Sequence, residues 1–484
     1  MAGKRVLFTI MPADQEDQLF ACVSEAPFKV KPIPRPLKLA APQGDLDTEA
    51  NIATYGASIR DALMGHPEIS SVLDSVFKAP AAESWNLLFG ISSEPGEAIR
   101  WEVVQTAASD YFVLKGSRRL FRVASDNGSP ALELRALPEV LRFVAFLSPA
   151  QVDSTAEYKG LVAAATAARE AGVPVDLMVF VGQRSLLQPD LTAPPWLTVK
   201  PMPDTTLDMQ FQLQELQPHI LHFFCHGIVE QPQSPVAQPQ SLVTEPQSLE
   251  LATVGEQRID AERGSVLFSM DRLIKAHVLE QAWTVVFNCC DGGRPGKALN
   301  SMAYRAVVRG GVPAAIGMGS PLPVGAAPHF SSAFYRTLFH VLASLLATAD
   351  AAVEIDFGEP IAEARRGLHE AIKAAGLPFA CWSLPIIYLH PKPFVVQKSV
   401  RAAAVAKPAA PPPAAPQGAP AAMVDSLAIA TRIRTVAGML QIMPPTTPIE
   451  VRREMLALFD QPLYVPPELR CDENGLFRKA NGAS

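Results

Sequence analysis

The sequence predicts an α/β protein built on a mostly parallel sheet of about six strands, flanked by helices in a three-layer sandwich. Between residues 135 and 395, short apolar runs rich in β-branched and aromatic residues alternate with longer segments of helical spacing. Apolar residues make up 48% of the 484 residues and charged residues 19%, enough for a large core. Strands that alternate with helices favour a parallel sheet covered on both faces, with functional groups where the strands end.

The predicted core elements follow one another in a regular order. Six buried strands are predicted at 141–147, 175–181, 219–225, 283–289, 313–318 and 382–389. Residues 265–270 are predicted as a hairpin arm or a short strand. Helices are predicted at 155–171, 207–216, 271–279, 298–309, 331–347 and 361–375. This core is assigned to residues 136–395.

Residues 1–135 are less regular and are predicted as an N-terminal lobe of mixed helix and strand. The lobe is either a separate domain or a part packed on the sheet. Strand-like runs occur at 6–11, 100–106, 111–116 and 119–123, and residues 51–78 have helical spacing.

Two proline-rich segments interrupt the pattern. Residues 229–258 repeat a Pro-Gln-Ser unit and are predicted as a solvated loop inserted in the core. Residues 396–423 are predicted as a linker, since residues 401–422 are nearly all Ala and Pro and clustered proline favours the extended polyproline II conformation. Residues 424–484 then form a small helical segment, with a capping pattern at Thr447-Pro448-Ile449-Glu450. We expect this segment to dock on the body or a partner, and autoinhibition is one hypothesis for it.

Charge and cysteine content narrow the function classes. The net charge of −6 argues against direct nucleic-acid binding, because a phosphate-binding protein usually needs a basic surface. The six cysteines are scattered and form no C-x-x-C pair, so neither a disulfide scaffold nor a structural zinc site is expected. We expect no cofactor or metal. No signal peptide or membrane segment is predicted, and a cytoplasmic location is expected.

Two strand ends carry reactive side chains followed by glycine. The segment ILHFFCHG ends with His226 and Gly227. The segment VVFNCCDGG contains Cys290 and Asp291 and ends with two glycines. On a parallel sheet, both strand ends would lie at the same edge. An imidazole beside a thiol lowers the thiol pKa from its usual value near ~8.5 and produces a nucleophilic thiolate. The alternative is that His226 and Cys290 are ordinary core residues at strand ends.

These motifs resemble the CHAT domain, a caspase-like cysteine peptidase family related to separase, metacaspases and caspases. HFFCHG and VVFNCCDGG match its His-Gly and Cys motifs in the family order, 290 − 226 = 64 positions apart. The flanking segments 310–323 and 381–389 also match, and the resemblance covers about residues 90–395. It implies a caspase-like fold and a His-Cys dyad, with His226 as general base and Cys290 as nucleophile. The family pattern C-x-x-G selects Cys290 over Cys289, whereas Pro321 occupies a region where the family usually carries Trp.

The main-chain N–H groups of Gly227 and Cys290 are candidates for the oxyanion hole, where one donor typically contributes about 3 kcal/mol. Asp291 and Asp153 are candidates for binding a basic substrate residue, although each also suits a turn or helix cap. His222 precedes His226 by four residues, but on a strand the two would lie about 13 Å apart, so a metal pair is not favoured.

The resemblance implies a bacterial regulatory, antiviral-defence or cell-death protease. It would cleave one protein partner, for example a pore-forming protein encoded by a neighbouring gene. Two other function classes stay open. One is a catalytically silent interaction module that binds a partner through the same groove. The other is a thiol acyltransferase or esterase that uses the same dyad. The sequence does not define the oligomeric state.

Overall fold

The computed structural model describes most of the chain up to residue 398 and two short segments near its end. The described residues are 3–13, 18–39, 46, 48–80, 83–107, 110–124, 132, 134–150, 152–187, 193–229, 247–254, 265–289, 298–398, 469–471 and 477–479. The chain divides into two compact units, Met1–Lys407 and Pro408–Ser484.

The elements of the first unit are numbered in chain order. Those of its N-terminal part are β1 (Lys4–Pro12), β2 (Leu19–Glu25), β3 (Arg35–Leu37), α1 (Glu49–Met64), α2 (Pro67–Lys78), β4 (Trp85–Ile91), α3 (Glu94–Ala98), β5 (Gln105–Ala107), β6 (Asp110–Tyr111), β7 (Arg118–Val123) and β8 (Arg135–Ala136). Those that follow are β9 (Leu141–Leu147), α4 (Thr155–Glu170), β10 (Val175–Val181), β11 (Leu197–Pro201), α5 (Thr206–Leu216), β12 (Ile220–Phe224), β13 (His226–Val229), β14 (Gln247–Ala252), β15 (Ser265–Ser269), α6 (Met270–Lys275), β16 (Thr284–Phe287), α7 (Ala298–Val308), β17 (Ala314–Met318), α8 (Ala327–Ala347), β18 (Ala352–Glu354), α9 (Gly358–Ala375), β19 (Pro385–Leu389) and β20 (Val395–Gln397).

A twelve-stranded sheet forms the centre of the first unit. Its strand order is β11-β10-β9-β12-β16-β17-β19-β7-β4-β1-β2-β3. Neighbouring strands are parallel except at β17/β19, β1/β2 and β2/β3. The molecule is therefore a mixed α/β protein with a large, mostly parallel sheet, as predicted.

The strand count differs from the prediction. All six predicted core strands are present and adjacent, in the order β10-β9-β12-β16-β17-β19. The expectation of about six strands is nevertheless wrong, because β11 extends the sheet on one side and β7, β4, β1, β2 and β3 extend it on the other. The N-terminal strands join through β7, which pairs in parallel with β19. The N-terminal part thus continues the same sheet, while the predicted boundary at residue 135 stays a prediction.

Two strand predictions in the N-terminal part are wrong. Residues 101–103 form a 3₁₀ turn in which Trp101 and Glu102 are completely buried, and only Gln105–Ala107 are extended. Residues 112–114 form a second 3₁₀ turn. The apolar runs are there because these turns pack into the core: Trp101 stacks on Phe89 of β4 at a ring distance of 4.7 Å. A buried turn and a buried strand both have apolar sequences, so an apolar run alone does not distinguish them.

Helices α4, α8 and α9 pack side by side, with α4 on β10 and α9 on β7 and β19. Their lengths follow from sequence signals: α8 has proline in its first turn, and α9 ends at Gly376, which adopts the left-handed conformation. Helix α8 begins four residues before the predicted start at 331. Covering of both sheet faces stays a prediction.

A separate three-stranded antiparallel sheet, β13-β14-β15, follows the end of β12. It corrects the prediction of a solvated loop over 229–258, since residues 247–252 form β14 with Leu249 and Leu251 completely buried. The alternating sequence SLELA gives this strand its buried face. Residues 230–246 and 255–264 lie outside the described residues.

In the second unit, β21 (Leu469–Cys471) pairs antiparallel with β22 (Phe477–Lys479). The predicted linker and the two predicted C-terminal helices otherwise lie outside the described residues. Among the helices that the structure describes, none combines the length and the apolar character that a bilayer crossing requires.

Candidate active site

The carboxyl edge of β12 carries His226. All five residues of β12 are buried, and the chain leaves the large sheet at Cys225 and enters β13 at His226. His226 itself is 8% exposed. The His226 imidazole therefore lies at the carboxyl end of a fully buried strand, which is where parallel sheets form their binding and active sites.

The His226 ring is oriented by a main-chain carbonyl. Its Nε2 lies 3.0 Å from the carbonyl oxygen of Ala150, in the loop after β9. A carbonyl can only accept, so in the neutral ring the proton is on Nε2 and the lone pair is on Nδ1. Among the described residues, Nδ1 has no hydrogen-bond partner although it is buried. In the neutral ring, the Nδ1 lone pair is therefore not engaged by any described group.

Strand β16, which leads toward Cys290, is the immediate neighbour of β12. Strands β12 and β16 are parallel, with Ile220 paired to Thr284 and Phe223 to Phe287. The pairing continues past the strand end, because the Asn288 N–H donates to the Phe223 carbonyl at 2.8 Å. Both strands therefore end at the same edge, as the sequence predicts. Cys290 and Asp291 lie outside the described residues.

Aromatic rings support this edge from one face of the sheet. Phe180, Phe146, Phe223 and Phe287 stand side by side on β10, β9, β12 and β16. Their successive ring distances are 4.8, 5.4 and 5.7 Å, and their planes differ by 9°, 16° and 6°. We call these four rings the phenylalanine ladder. It fixes the mutual register of four strands next to the site.

Gly227 lies beside His226, where it pairs with Leu249 of β14 and is half-buried. The structure thus brings the two predicted residues of the His-Gly motif to the same strand end. The oxyanion hole stays a prediction because its second donor, the N–H of Cys290, is not among the described residues.

Asp153 is exposed in the loop between β9 and α4, three residues after Ala150. Its Oδ1 accepts from the Thr155 hydroxyl at 2.6 Å, from the Thr155 N–H at 2.9 Å and from Gln183 Nε2 at 2.9 Å. Hydrogen bonds from Thr155, followed by that from Gln183, lower the pKa of this carboxyl. Asp153 therefore organises the loop that orients His226. A role in substrate binding stays a prediction.

Sequence reasoning missed a buried polar cluster under the same strand ends. It contains Glu157, His222, Asn288, Ser331 and Tyr335, and we call these five residues the polar cluster. His222 lies within 3.1 Å of Glu157 and 2.9 Å of Tyr335, so it belongs to this cluster and not to a metal pair with His226. The shared parity of His222 with His226 was a signal in the sequence, whereas Glu157 on α4 and Ser331 and Tyr335 on α8 come from distant parts of the chain.

The sequence model of the CHAT domain matches residues 98–359, which is 262 of the 484 residues. A comparison with curated proteins finds no match. Among solved structures, the chain is similar to the crystal structure of gingipain R, an Arg-specific cysteine proteinase, with 10% identity and a TM-score of 0.38. That alignment covers 72% of this chain and 68% of the other, a likeness too distant to support an argument about activity. From the match over more than half of its length, the chain belongs to the CHAT domain family.

Proposed function

We propose that the protein is a cysteine endopeptidase in which His226 is the general base and Cys290 the nucleophile. One observation carries the proposal. At the edge where β12 and β16 end together, a buried imidazole has its Nε2 fixed on Ala150 and its Nδ1 without a partner among the described residues. An unpaired buried polar atom is costly, so a buried Nδ1 without a described partner at a strand end favours a functional role over a packing role.

The strand register supports the choice of Cys290. Paired residues on β12 and β16 differ by 284 − 220 = 64 positions, the same as the separation of His226 and Cys290. Cys289 has the opposite parity on a strand and is completely buried, which suits a packing role. The register therefore favours the second cysteine as the partner of the imidazole.

In the proposed reaction, His226 Nδ1 takes the proton of the Cys290 thiol, and the thiolate attacks the carbonyl carbon of the scissile peptide bond. The N–H groups of Gly227 and Cys290 hold the oxyanion. The imidazolium returns the proton to the leaving amine, and a thioester remains on the sulfur. A water molecule then gives its proton to His226 and hydrolyses the thioester, which restores the free thiol.

The test uses the full chain with proteins encoded beside its gene, each scored for a single cut by mass spectrometry. Cys290→Ala should abolish cleavage, a loss of at least ~10³-fold, since the nucleophile is removed. Cys289→Ala is the matched control and should keep the rate within a few-fold. Cleavage that survives in Cys290→Ala and disappears in Cys289→Ala would reject the assignment.

Family membership supports a caspase-like three-layer arrangement around this site. It also supports a protein substrate in a bacterial regulatory, antiviral or cell-death pathway, such as a pore-forming protein activated by cleavage. We place the enzyme in the cytoplasm, without direct nucleic-acid or membrane partners.

A thiol acyltransferase would also label with an active-site thiol probe but would leave a peptide library uncut. A silent interaction module would bind its partner without cutting it, whereas a protease would lose cleavage and keep partner binding in Cys290→Ala. These two outcomes separate the alternatives from a protease.

A further inference from the structure

The polar cluster lies under the proposed dyad and contacts both strands that lead to it. Its members come from α4 (Glu157), β12 (His222), the residue after β16 (Asn288) and α8 (Ser331, Tyr335), and each is at most 1% exposed. Asn288 is two positions before Cys290, and His222 is four positions before His226. A structural change in the polar cluster therefore needs only two to four residues of chain to displace Cys290 or His226.

Asn288 is held by both its main chain and its side chain. The side-chain Nδ2 donates to Ser331 Oγ at 2.9 Å and to Glu157 Oε1 at 3.2 Å, and it lies 3.4 Å from the Ala327 carbonyl. The main-chain N–H is bound to Phe223 on β12. Asn288 is thus anchored to two helices and to β12, the strand that precedes His226.

Glu157 connects the two strands. Its Oε1 accepts from Asn288 and lies 3.1 Å from His222 Nε2, a close polar contact outside hydrogen-bond geometry. The other ring nitrogen of His222 is 2.9 Å from the Tyr335 hydroxyl. Burial, with a contribution from Glu157, raises the pKa of Tyr335 well above its usual value, so this hydroxyl stays protonated.

Burial of the polar cluster costs free energy of folding. A buried carboxyl group loses its hydration, and well-packed apolar side chains in its place are often neutral or stabilising. Among the described residues, Glu157 Oε2 and Asn288 Oδ1 also lack partners, which adds to the cost. Stability alone therefore does not account for these residues, whereas the fixed direction of hydrogen bonds accounts for a positioning role.

We propose that Glu157 and Asn288 are positioning residues that hold the Cys290 segment in register with the His226 ring. The proposal rests on the proposed function and adds two residues to it. Neither residue touches the reacting atoms. A displacement of about 1 Å at a reacting group can cost about 10²-fold in rate, so loosening this anchor should lower the reactivity of the thiol strongly.

The experiment measures alkylation of Cys290 by iodoacetamide at pH 6.5 in the full chain, with the Cys290 peptide quantified by mass spectrometry. At this pH an unassisted thiol of pKa ~8.5 is only about 1% thiolate, so the rate reports the assistance of His226. Glu157→Leu should slow alkylation at least ~10-fold. Glu157→Gln, which keeps an oxygen acceptor for Asn288, should stay within about threefold of the wild type.

Two further variants make the result decisive. Ser331→Ala removes only one hydrogen bond to Asn288, so it should fold and still slow alkylation several-fold. Glu102→Gln is the matched control, since Glu102 is an equally buried carboxylate that pairs with Arg122 in the other part of the sheet. It should lower the melting temperature and leave Cys290 alkylation unchanged.

Alkylation rates within twofold of wild type in folded Glu157→Leu and Ser331→Ala would overturn the positioning role. Equal slowing in Glu157→Gln and Glu157→Leu would also overturn it, because charge and not the hydrogen bond would then be responsible. Failure of the proposed function has a different signature, in which His226→Asn leaves the alkylation rate of Cys290 unchanged.

Discussion

His226 takes its orientation from the main chain of another loop and not from a side chain. The Ala150 carbonyl is present whatever residue occupies position 150, so this contact cannot be removed by an ordinary substitution there. The loop itself is braced by Asp153, Thr155 and Gln183. Orientation of the proposed base therefore depends on loop conformation, with Asp153 as the residue through which it can be altered.

His219, just before β12, gives the fold a pH dependence. Its Nδ1 accepts from the Arg142 N–H at 2.9 Å, and burial, followed by the charges of Arg142 and Arg135, lowers its pKa from 6.5 to about 3. The unfolded chain therefore gains this proton first as the pH falls, and stability is lost from pH 6.5 downward toward pH 3.

Urea unfolding at pH 7.5 and pH 5 tests this dependence. From the lowered pKa, protonation of His219 in the unfolded chain accounts for about 1.36 × (6.5 − 5) ≈ 2 kcal/mol of stability lost by the wild type. His219→Asn keeps an acceptor for Arg142 and should lose about 2 kcal/mol less between the two pH values. Equal losses in the two proteins would show that His219 is not the group responsible.

The residues of the His-Gly motif could be predicted from the sequence because an apolar strand pattern leads directly into them and the segment matches the CHAT motif. The Ala150 carbonyl could not, since every residue has one and only the fold selects it. The polar cluster was missed for a similar reason: Glu157 and Asn288 are 131 positions apart, and a single sequence gives no sign that they meet.

Among the elements, the phenylalanine ladder is the feature whose removal we expect to cost most. Phe223 contacts a ring on each side, from Phe146 and Phe287, and is completely buried. Phe223→Ala should destabilise the protein by about 3–5 kcal/mol through the lost burial and the cavity that remains.

The measurement is the change in unfolding free energy from urea titration. Phe28→Ala is the matched control, because Phe28 is 42% exposed and should change stability by less than about 0.5 kcal/mol. Comparable losses in the two variants would mean that the ladder has no special role.

Strong alternation of strand and helix made the core predictable, and each of its six predicted strands is present. Strand β11 was missed because prolines stand before it at 194 and 195 and at its last position, 201, and because it is only partly buried at the sheet edge. Strand β4 was missed although WNLLFGI is strongly apolar. In both cases the neighbouring strand supplies the pairing, and that information is not local.

Across the whole first unit, the N-terminal strands complete the sheet. Strand β7 occupies the free side of β19, and Arg365 of α9 donates to main-chain carbonyls of both strands, at Leu120 and Pro385. Removing residues 1–124 would expose the backbone donors and acceptors of β19 together with its apolar surface, which favours aggregation.

Two truncations test this arrangement by size-exclusion chromatography and thermal melting. The chain that lacks residues 1–124 should aggregate or melt without cooperativity. The chain that lacks residues 408–484 should keep the melting temperature of the full protein, since these residues form a separate compact unit. A monomeric, cooperatively melting product of the first truncation would show that the core is independent of the N-terminal strands.

The pairing of β7 with β19 also has a consequence during synthesis. The paired residues Val123 and Leu389 are 389 − 123 = 266 positions apart. At about 5–20 residues per second, a ribosome needs roughly 13–53 s to add this length of chain. Throughout that time the nascent N-terminal strands have an unfilled side on β7, the kind of surface to which chaperones bind. Completion of the large sheet thus waits for the synthesis of the five-residue strand β19.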